Sequence, residues 1–479
     1  MPDIFWFRKD LRTVDNKGFA EFINKISDSS KFALIYIKNK DSFKYFGEKR
    51  ISFLIECLDE LRSELGSLGL TLNILEGKSS EVFEKIIKEH KEVSVYCNEQ
   101  VEPYCLGRDE RVKKLITDSG GSFYKFTDTT IFNLGEIKNG EAKQYKVYTP
   151  FKNQCLARLT DGHYRKISVD LNLLQKENQI KIKAKTYDTG KNYAKLTISE
   201  FLKGGRKEAL KLLKDFYEIG IINYTEKRNF PSVKGTSLLS AHIHFGTVSI
   251  RECLRTAYVK LGKASKGKED IQKWINELFW REFYYNITFH NPKILYQSFN
   301  REYDNLKWNY DEDNFENWCK GKTGYPIVDA GMRQLNQEGW MHNRVRMITA
   351  MFLTKDLFID WRYGEKYFAD NLIDLDLSSN NGGWQWSAST GVDAQPYFRI
   401  FNPYLQSKKF DKNGAYIKKY VPELKNVPEE FIHEPNLMSV MEQKMYEVII
   451  GKDYPQPVVE HSKAREEVIK NFKEAIRKN

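Results

Sequence analysis

The sequence predicts two joined folds: an α/β segment built on a doubly wound parallel, Rossmann-like sheet, then, after a long connector, an all-helical segment. Three observations predict it. Over the first ~125 residues, short β-rich runs alternate with helical patterns. From Ser199 onward the β signal fades and apolar residues recur at helical spacing. Eight of the nine tryptophans fall between residues 274 and 386, inside that helical part.

The candidate strands are Ile4–Phe7, Phe32–Ile37, Leu72–Leu75, Val93–Tyr96 and Ser122–Phe126. Between them, Ile51–Leu65 and Ser80–Glu89 read as amphipathic helices. Such alternation argues for a parallel sheet with helices on its faces. No Gly-x-Gly-x-x-Gly follows the first strand, which ends in Trp6-Phe7-Arg8-Lys9-Asp10-Leu11-Arg12, so a standard dinucleotide site there is unsupported. Residues 131–198 lack a clear period and are lysine-rich in their second half, as at Lys176, Lys181, Lys183, Lys185 and Lys191. They read as a solvated connector. Beyond it, Ser199–Tyr217, Ile271–Phe289, Val328–Gln337, Trp340–Leu357 and Tyr363–Leu372 read as helices, enough to hold a cofactor between them. The expected division is 1–130, 131–198 and 199–479.

The 479 residues carry a formal net charge of +11, which favours polyanionic partners, nucleic acid first. Six scattered cysteines with no Cys-x-x-Cys argue against a disulfide framework or a zinc site and fit a reducing, cytoplasmic setting. The N-terminus carries no targeting pattern, and no apolar run approaches membrane-spanning length.

Several constellations can carry chemistry. On Ile271–Phe289, Glu277 and Trp280 share a face, and Glu277 and Arg281 are spaced to pair. In Trp340-Met341-His342-Asn343-Arg344-Val345-Arg346-Met347, Asn343 and Met347 form an i, i+4 pair facing the same way as Trp340, an amide and a thioether fit to wall a heterocycle. Asp374-Leu375-Asp376 could bind a metal or accept hydrogen bonds from a ring and a ribose, but no His or Cys cluster supports a metal. Lys234-Gly235-Thr236-Ser237-Leu238-Leu239-Ser240 reads as a helix start whose free N–H groups and hydroxyls can seat a phosphate. Asn380-Asn381-Gly382-Gly383 reads as a turn opening a helix on which Trp384 and Trp386 point to opposite sides, about 200° apart. Arg228, Arg344, Arg399, Lys408 and Lys409 interleave with these aromatics, a pattern that holds phosphates and stacks bases.

The chain resembles the photolyase/cryptochrome family from end to end, most closely the bacterial class I cyclobutane pyrimidine dimer photolyases. The resemblance is carried by Trp6–Arg12 with Asp15-Asn16, by Thr149-Pro150-Phe151, and by Thr323–Ala330 running through Trp340–Met347 and Asn380–Gly391 to Phe401-Asn402-Pro403. Tyr454–His461 closes it.

The resemblance implies an antenna segment, a linker and a helical segment holding FAD. Tyr224, Thr236, Ser237, Leu238, Leu239 and Ser240 would seat the FAD phosphates. Trp274, Arg281, Trp340, Arg346, Asp374, Leu375 and Asp376 would surround the remainder, with Asn380 beside flavin N5. Trp384, Trp361 and Trp308 would relay electrons to the flavin. Glu277, Trp280, Asn343, Met347 and Trp386 would line the pocket for a flipped-out dimer, with Glu277, Asn343 and Asn380 the catalytic groups. Arg228, Arg344, Arg399 and Lys409 would contact DNA phosphates.

The implied activity is light-driven repair of cyclobutane dimers in DNA by a cytoplasmic monomer. The alternatives are a (6-4) photolyase or a cryptochrome-type blue-light receptor. A second chromophore, methenyltetrahydrofolate or 8-hydroxy-5-deazaflavin, is expected. Tyr45 and Tyr104-Cys105 stand where folate-binding members carry other residues, and Leu238 stands where an Arg is common.

Overall fold

The computed structural model describes residues 1–27, 29–39 and 46–477. The chain forms two compact units: Met1–Ile222 with Ser237–Pro292, and Asn223–Thr236 with Lys293–Asn479.

In the first unit, β1 (Asp3–Phe7), β2 (Phe32–Lys38), β3 (Leu72–Glu76), β4 (Ser94–Asn98) and β5 (Ser122–Phe126) form one sheet in the order β3-β2-β1-β4-β5. Every pairing is parallel. The near-continuous apolar runs of β1 and β2 follow from burial on both faces. Ile4 and Trp6 face one layer with Val82 and Phe83 of one helix and Val112 and Ile116 of another. Phe5 and Phe7 face the other, against Phe19.

The helices around the sheet are α1 (Lys17–Lys25), α2 (Glu48–Ser67), α3 (Ser79–His90) and α4 (Pro103–Asp118). Sequence reading finds α2 and α3 but not α1 or α4. Helix α1 is nine residues long and is started by the Asn16 side chain, which accepts from the Phe19 N–H. Helix α4 buries only Cys105, Asp109, Val112 and Ile116, and the charge at Asp109 breaks the apolar stripe.

The connector is more structured than its composition suggests. It contains α5 (Tyr148–Arg158), and it meets the sheet where the Ile180 N–H donates to the Phe32 carbonyl at 2.8 Å. The expected helix Ser199–Tyr217 begins only at Arg206 as α6 (Arg206–Asp215), because Gly205 sits at φ +100°, outside helical geometry. Helices α7 (Ile250–Lys263) and α8 (Lys268–His290) complete the unit. Buried arginines tie the sheet's loops to α7: Arg251 donates to Asp128 at 2.6 Å and Arg255 to Asp15 at 3.3 Å.

The second unit contains α9 (Glu312–Lys320), α10 (Pro326–Glu338), α11 (Asn343–Met351), α12 (Trp361–Asn371), α13 (Leu377–Ala388), α14 (Pro403–Phe410) and α15 (His461–Arg477). Its core gathers Trp318, Tyr325, Trp361, Phe368 and Trp384. Two expectations are corrected. Trp340–Leu357 is not one helix: His342 caps α11 by accepting the Arg344 N–H at 3.2 Å, and the helix widens into a π turn over Phe352–Asp356. Trp340 therefore precedes α11 and shares no helical face with Asn343. Asn380–Gly383 is not a turn, because α13 already starts at Leu377, where the Asp376 carboxylate accepts the Ser379 N–H at 2.9 Å.

Candidate functional site

In the first unit, α8 carries four of the expected residues. Trp274 is buried against Phe216, with ring centroids 5.1 Å apart. Glu277 lies 3.9 Å from Lys273. Arg281 donates to the Thr129 carbonyl at 2.7 Å and to the Tyr285 hydroxyl at 2.9 Å, its guanidinium 4.2 Å from the Tyr285 ring centre. Trp280 lies flat on Tyr148 at 3.6 Å with 9° between the planes. Tyr148 escapes sequence reading because it opens a short helix within an aperiodic stretch; its place just before Thr149-Pro150-Phe151 is the one signal.

The expected phosphate seat is a bend. Leu238 is left-handed at φ +55°, a conformation that costs a side chain other than Gly roughly 1–2 kcal/mol, and Leu239 leads into the short helix Ser240–Phe245. Ser237 and Ser240 belong to this unit and Thr236 to the other.

The second unit assembles a basic face. Arg228 lies over the buried Tyr224 ring at 5.3 Å. Its neighbour Asn229 accepts from Arg344 at 2.7 Å. The Arg344 guanidinium sits 4.3 Å from the Phe410 ring centre, and the Lys409 ammonium lies 5.4 Å from the same ring. Burial first, and then Arg228, lowers the Arg344 pKa. His342 is held neutral, its pKa pushed down to about 3 by burial and by Arg344, Arg346 and Arg228. Its Nδ1 accepts the Arg344 N–H, so its proton sits on Nε2. The Arg399 guanidinium donates to the Gln395 side chain at 3.3 Å.

Asn343 is exposed, with its amide 3.9 Å from the Met347 sulfur, so the expected amide–thioether pair forms. Arg346 grips Asp374 through both carboxylate oxygens, at 3.0 and 2.8 Å, and donates to the Met341 carbonyl at 2.8 Å. Asp376 caps α13, and Leu375 packs partly buried against the core. The Asn380 amide donates to the Glu365 carbonyl at 3.1 Å. The Glu365 carboxylate accepts from Asn381 at 3.0 Å, and burial raises its pKa to about 7. No group of three or more His, Cys, Asp or Glu able to hold a metal occurs among the described residues.

Of the three tryptophans expected to form a relay, Trp384 and Trp361 are fully buried, and Trp308 is half-buried beside Phe358 at 4.9 Å. Trp340 is buried edge-on to His342, while Trp386, opposite Trp384 on α13, is half-exposed. The buried polar atoms of this unit without a hydrogen-bond partner include Trp384 Nε1, Ser378 Oγ, His342 Nε2 and Arg344 Nε. Buried polar groups are almost always paired. The Ser378 orphan, two residues from both Asp376 and Asn380 on α13, fits a polar ligand there such as a flavin nucleotide.

A parallel-sheet segment followed by this tryptophan-rich basic unit defines a photolyase-type flavoprotein. Residues 3–169 match the family described as DNA photolyase, and residues 274–474 match the FAD binding domain of DNA photolyase. The deoxyribodipyrimidine photo-lyase of Escherichia coli is 38% identical over 99% of both chains. A class III photolyase from Agrobacterium tumefaciens superposes with TM-score 0.90 at 35% identity, covering 100% of this chain and 98% of that one. A photolyase from Sulfolobus tokodaii, solved with two FAD molecules, gives TM-score 0.82 at 32% identity, covering 99% and 100%. The chain belongs to the DNA photolyase family.

Proposed function

We propose that the chain is a light-driven enzyme that repairs cyclobutane pyrimidine dimers in DNA with FAD as cofactor. The observation that carries this reading is the second unit's combination of an Arg228–Arg344–Lys409 face, an Asn343–Met347 pair and buried oxidisable tryptophans. When bound and reduced, FAD supplies the light-driven electron that opens the cyclobutane ring and then recovers it.

The chain's own residues do the rest. Arg228, Arg344, Arg399 and Lys409 hold phosphates flanking the lesion. Glu277 and Asn343 satisfy the edges of its bases, while Trp280, Met347 and Trp386 cover its faces. Extruding a damaged pair costs less than extruding an intact one. Tyr224, Thr236, Ser237, Leu238, Leu239 and Ser240 hold the cofactor's phosphates. Trp274, Arg281, Trp340, Arg346, Asp374, Leu375 and Asp376 hold its remainder. The Asn380 amide N–H₂ is anchored on the Glu365 carbonyl, which leaves Oδ1 to accept from the cofactor. Trp308, Trp361 and Trp384 pass electrons inward to it.

Residues 1–130 serve light collection, 131–198 connection and 199–479 catalysis in this reading. A second chromophore, methenyltetrahydrofolate or 8-hydroxy-5-deazaflavin, is assigned to the first of these; the S. tokodaii relative, with its two FAD molecules, adds a flavin to the choice. Tyr45 lies outside the described residues. Tyr104 is exposed and Cys105 buried at the start of α4. The protein works as a cytoplasmic monomer in this reading, and no described helix is long and apolar enough to cross a membrane. Asn343 and Met347 stand where a (6-4) photolyase needs paired histidines, which disfavours that alternative.

The test is direct. Purified, flavin-loaded protein under blue light removes dimers from irradiated DNA and does nothing in the dark; persistence of dimers under illumination overturns the reading.

A further inference from the structure

Trp280 is not a free-standing ring. Tyr148 covers one whole face at 3.6 Å and 9°. Phe283 meets Trp280 edge-on at 5.8 Å, and Tyr284 lies tilted at 5.7 Å. Tyr148 is itself fixed. It is 7% exposed, its hydroxyl donates to the Asn276 carbonyl at 2.5 Å, and its ring meets Phe283 edge-on at 5.9 Å. The Asn276 carbonyl lies one turn before Trp280 on the same helix, so one residue of α5 grips α8 by its backbone and by the indole. With Tyr148 on one face, Trp280 is still only half-buried, so part of the indole stays open to a ligand.

We infer that Tyr148 is a positioning residue for dimer recognition: it clamps Trp280 in one plane before DNA arrives, so that the lesion stacks on a surface already ordered. The inference rests on the reading of Trp280 as a contact to the flipped-out dimer. Its physical basis is preorganisation. A side chain that must be immobilised on binding subtracts from affinity, and one that is fixed beforehand does not. Tyr148 touches neither lesion nor cofactor in this account and acts only through Trp280.

The experiment is a double-mutant cycle on flavin-loaded protein, with Tyr148→Leu, Trp280→Ala and their combination, and with Tyr148→Phe as the conservative variant. Affinity is measured for an oligonucleotide with one defined dimer and for the same undamaged sequence. Tyr148→Leu is expected to weaken dimer binding about threefold to tenfold, the range of an aromatic pair, with undamaged-DNA binding unchanged. Tyr148→Phe keeps the stack and stays within about twofold of wild type on the same scale. Once Trp280 is Ala, Tyr148→Leu has no further effect. The near-ultraviolet circular dichroism of the stacked pair disappears in the Leu variant and survives in the Phe variant.

Trp280→Ala without effect on dimer affinity refutes the underlying reading of Trp280. A Trp280→Ala loss with full dimer affinity in Tyr148→Leu refutes the clamp alone. So does an equal Tyr148→Leu loss in both backgrounds, or a loss shared by undamaged DNA, since each would make Tyr148 a general support of the fold.

Discussion

Glu282 shows how one side chain holds the connector to the helix that carries Glu277, Trp280 and Arg281. Its carboxyl, 4% exposed, accepts the Ile131 N–H at 3.0 Å and the Phe132 N–H at 2.9 Å. Burial outweighs these bonds and raises its pKa from the ordinary 4.5 to about 7. A carboxyl raised in the folded state contributes stability that is fully present below pH 4.5 and is lost as pH rises toward 7. Glu282→Gln keeps an acceptor but cannot ionise. Wild type and variant should therefore match in acid, with the variant gaining on the order of 3 kcal/mol relative to wild type well above pH 7. Urea unfolding at a series of pH values reads this directly, and a wild type that instead gains on the variant with rising pH would mean that the two N–H groups hold the carboxylate ionised. None of this is legible in the sequence, where Glu282 looks like any solvent-facing helical glutamate. Arg346–Asp374 and Arg344–Asn229 were equally hidden, since their partners lie 28 and 115 residues apart. Asn343–Met347 was readable because both ends sit on one helix at i, i+4.

At the scale of elements, the packing of α12 against α13 decides where Trp384, the proposed inner end of the relay, sits. Gly364 is buried one turn after Trp361, and a Cβ there would lie 2.1 Å from the Trp384 ring and 2.6 Å from Leu353. The indole thus rests on bare backbone. Gly364→Ala should cost about 1–3 kcal/mol from overpacking and should displace Trp384. The expected signature is a lower unfolding midpoint together with slowed photoreduction of oxidised flavin. Photoreduction at the wild-type rate would detach Trp384 from the relay. Trp308→Phe probes the outer end of the same relay. It should block photoreduction with an external reductant while leaving repair by already reduced enzyme nearly intact, and unchanged photoreduction would reject the assignment. Strands β1, β2 and β4 were legible because burial on both sheet faces leaves near-continuous apolar runs. Helices α2, α3, α8, α10 and α12 were legible within a few residues at their ends. What failed has local causes: a one-side-chain start at α1, a diluted stripe at α4, glycine at the start of α6, and caps at His342 and Asp376 that move two helix starts.

For the whole molecule, a net charge of +11 makes salt the first lever on DNA binding. If Arg228, Arg344, Arg399 and Lys409 each replace a condensed counterion, log K should fall with log salt at a slope of about −3 to −4, and each Ala substitution should flatten it by about 1. An affinity that stays level from low to moderate salt would remove these residues from the interface. Salt governs affinity for any DNA, whereas lesion choice depends on uncharged groups. Asn343, exposed at the start of α11, offers an amide that can pair with the C=O and N–H edge of a dimerised base, and Met347 beside it offers a thioether for an apolar ring face. Losing one neutral hydrogen bond costs about 0.5–1.5 kcal/mol, and more where a buried partner is left unpaired. Asn343→Ala should therefore weaken binding of a dimer-bearing oligonucleotide by about that amount in a titration. Neither Asn343 nor Met347 can donate a proton as an acid, and His342, next to Asn343 in sequence, is buried, neutral and committed through Nδ1 to the cap of α11. A lesion whose reversal needs a histidine acid finds none on this wall. Wild-type protein should accordingly repair cyclobutane dimers and leave (6-4) products untouched when two oligonucleotides, each with one defined lesion, are illuminated side by side. Efficient repair of the (6-4) oligonucleotide would show that some group other than Asn343 and Met347 faces the lesion.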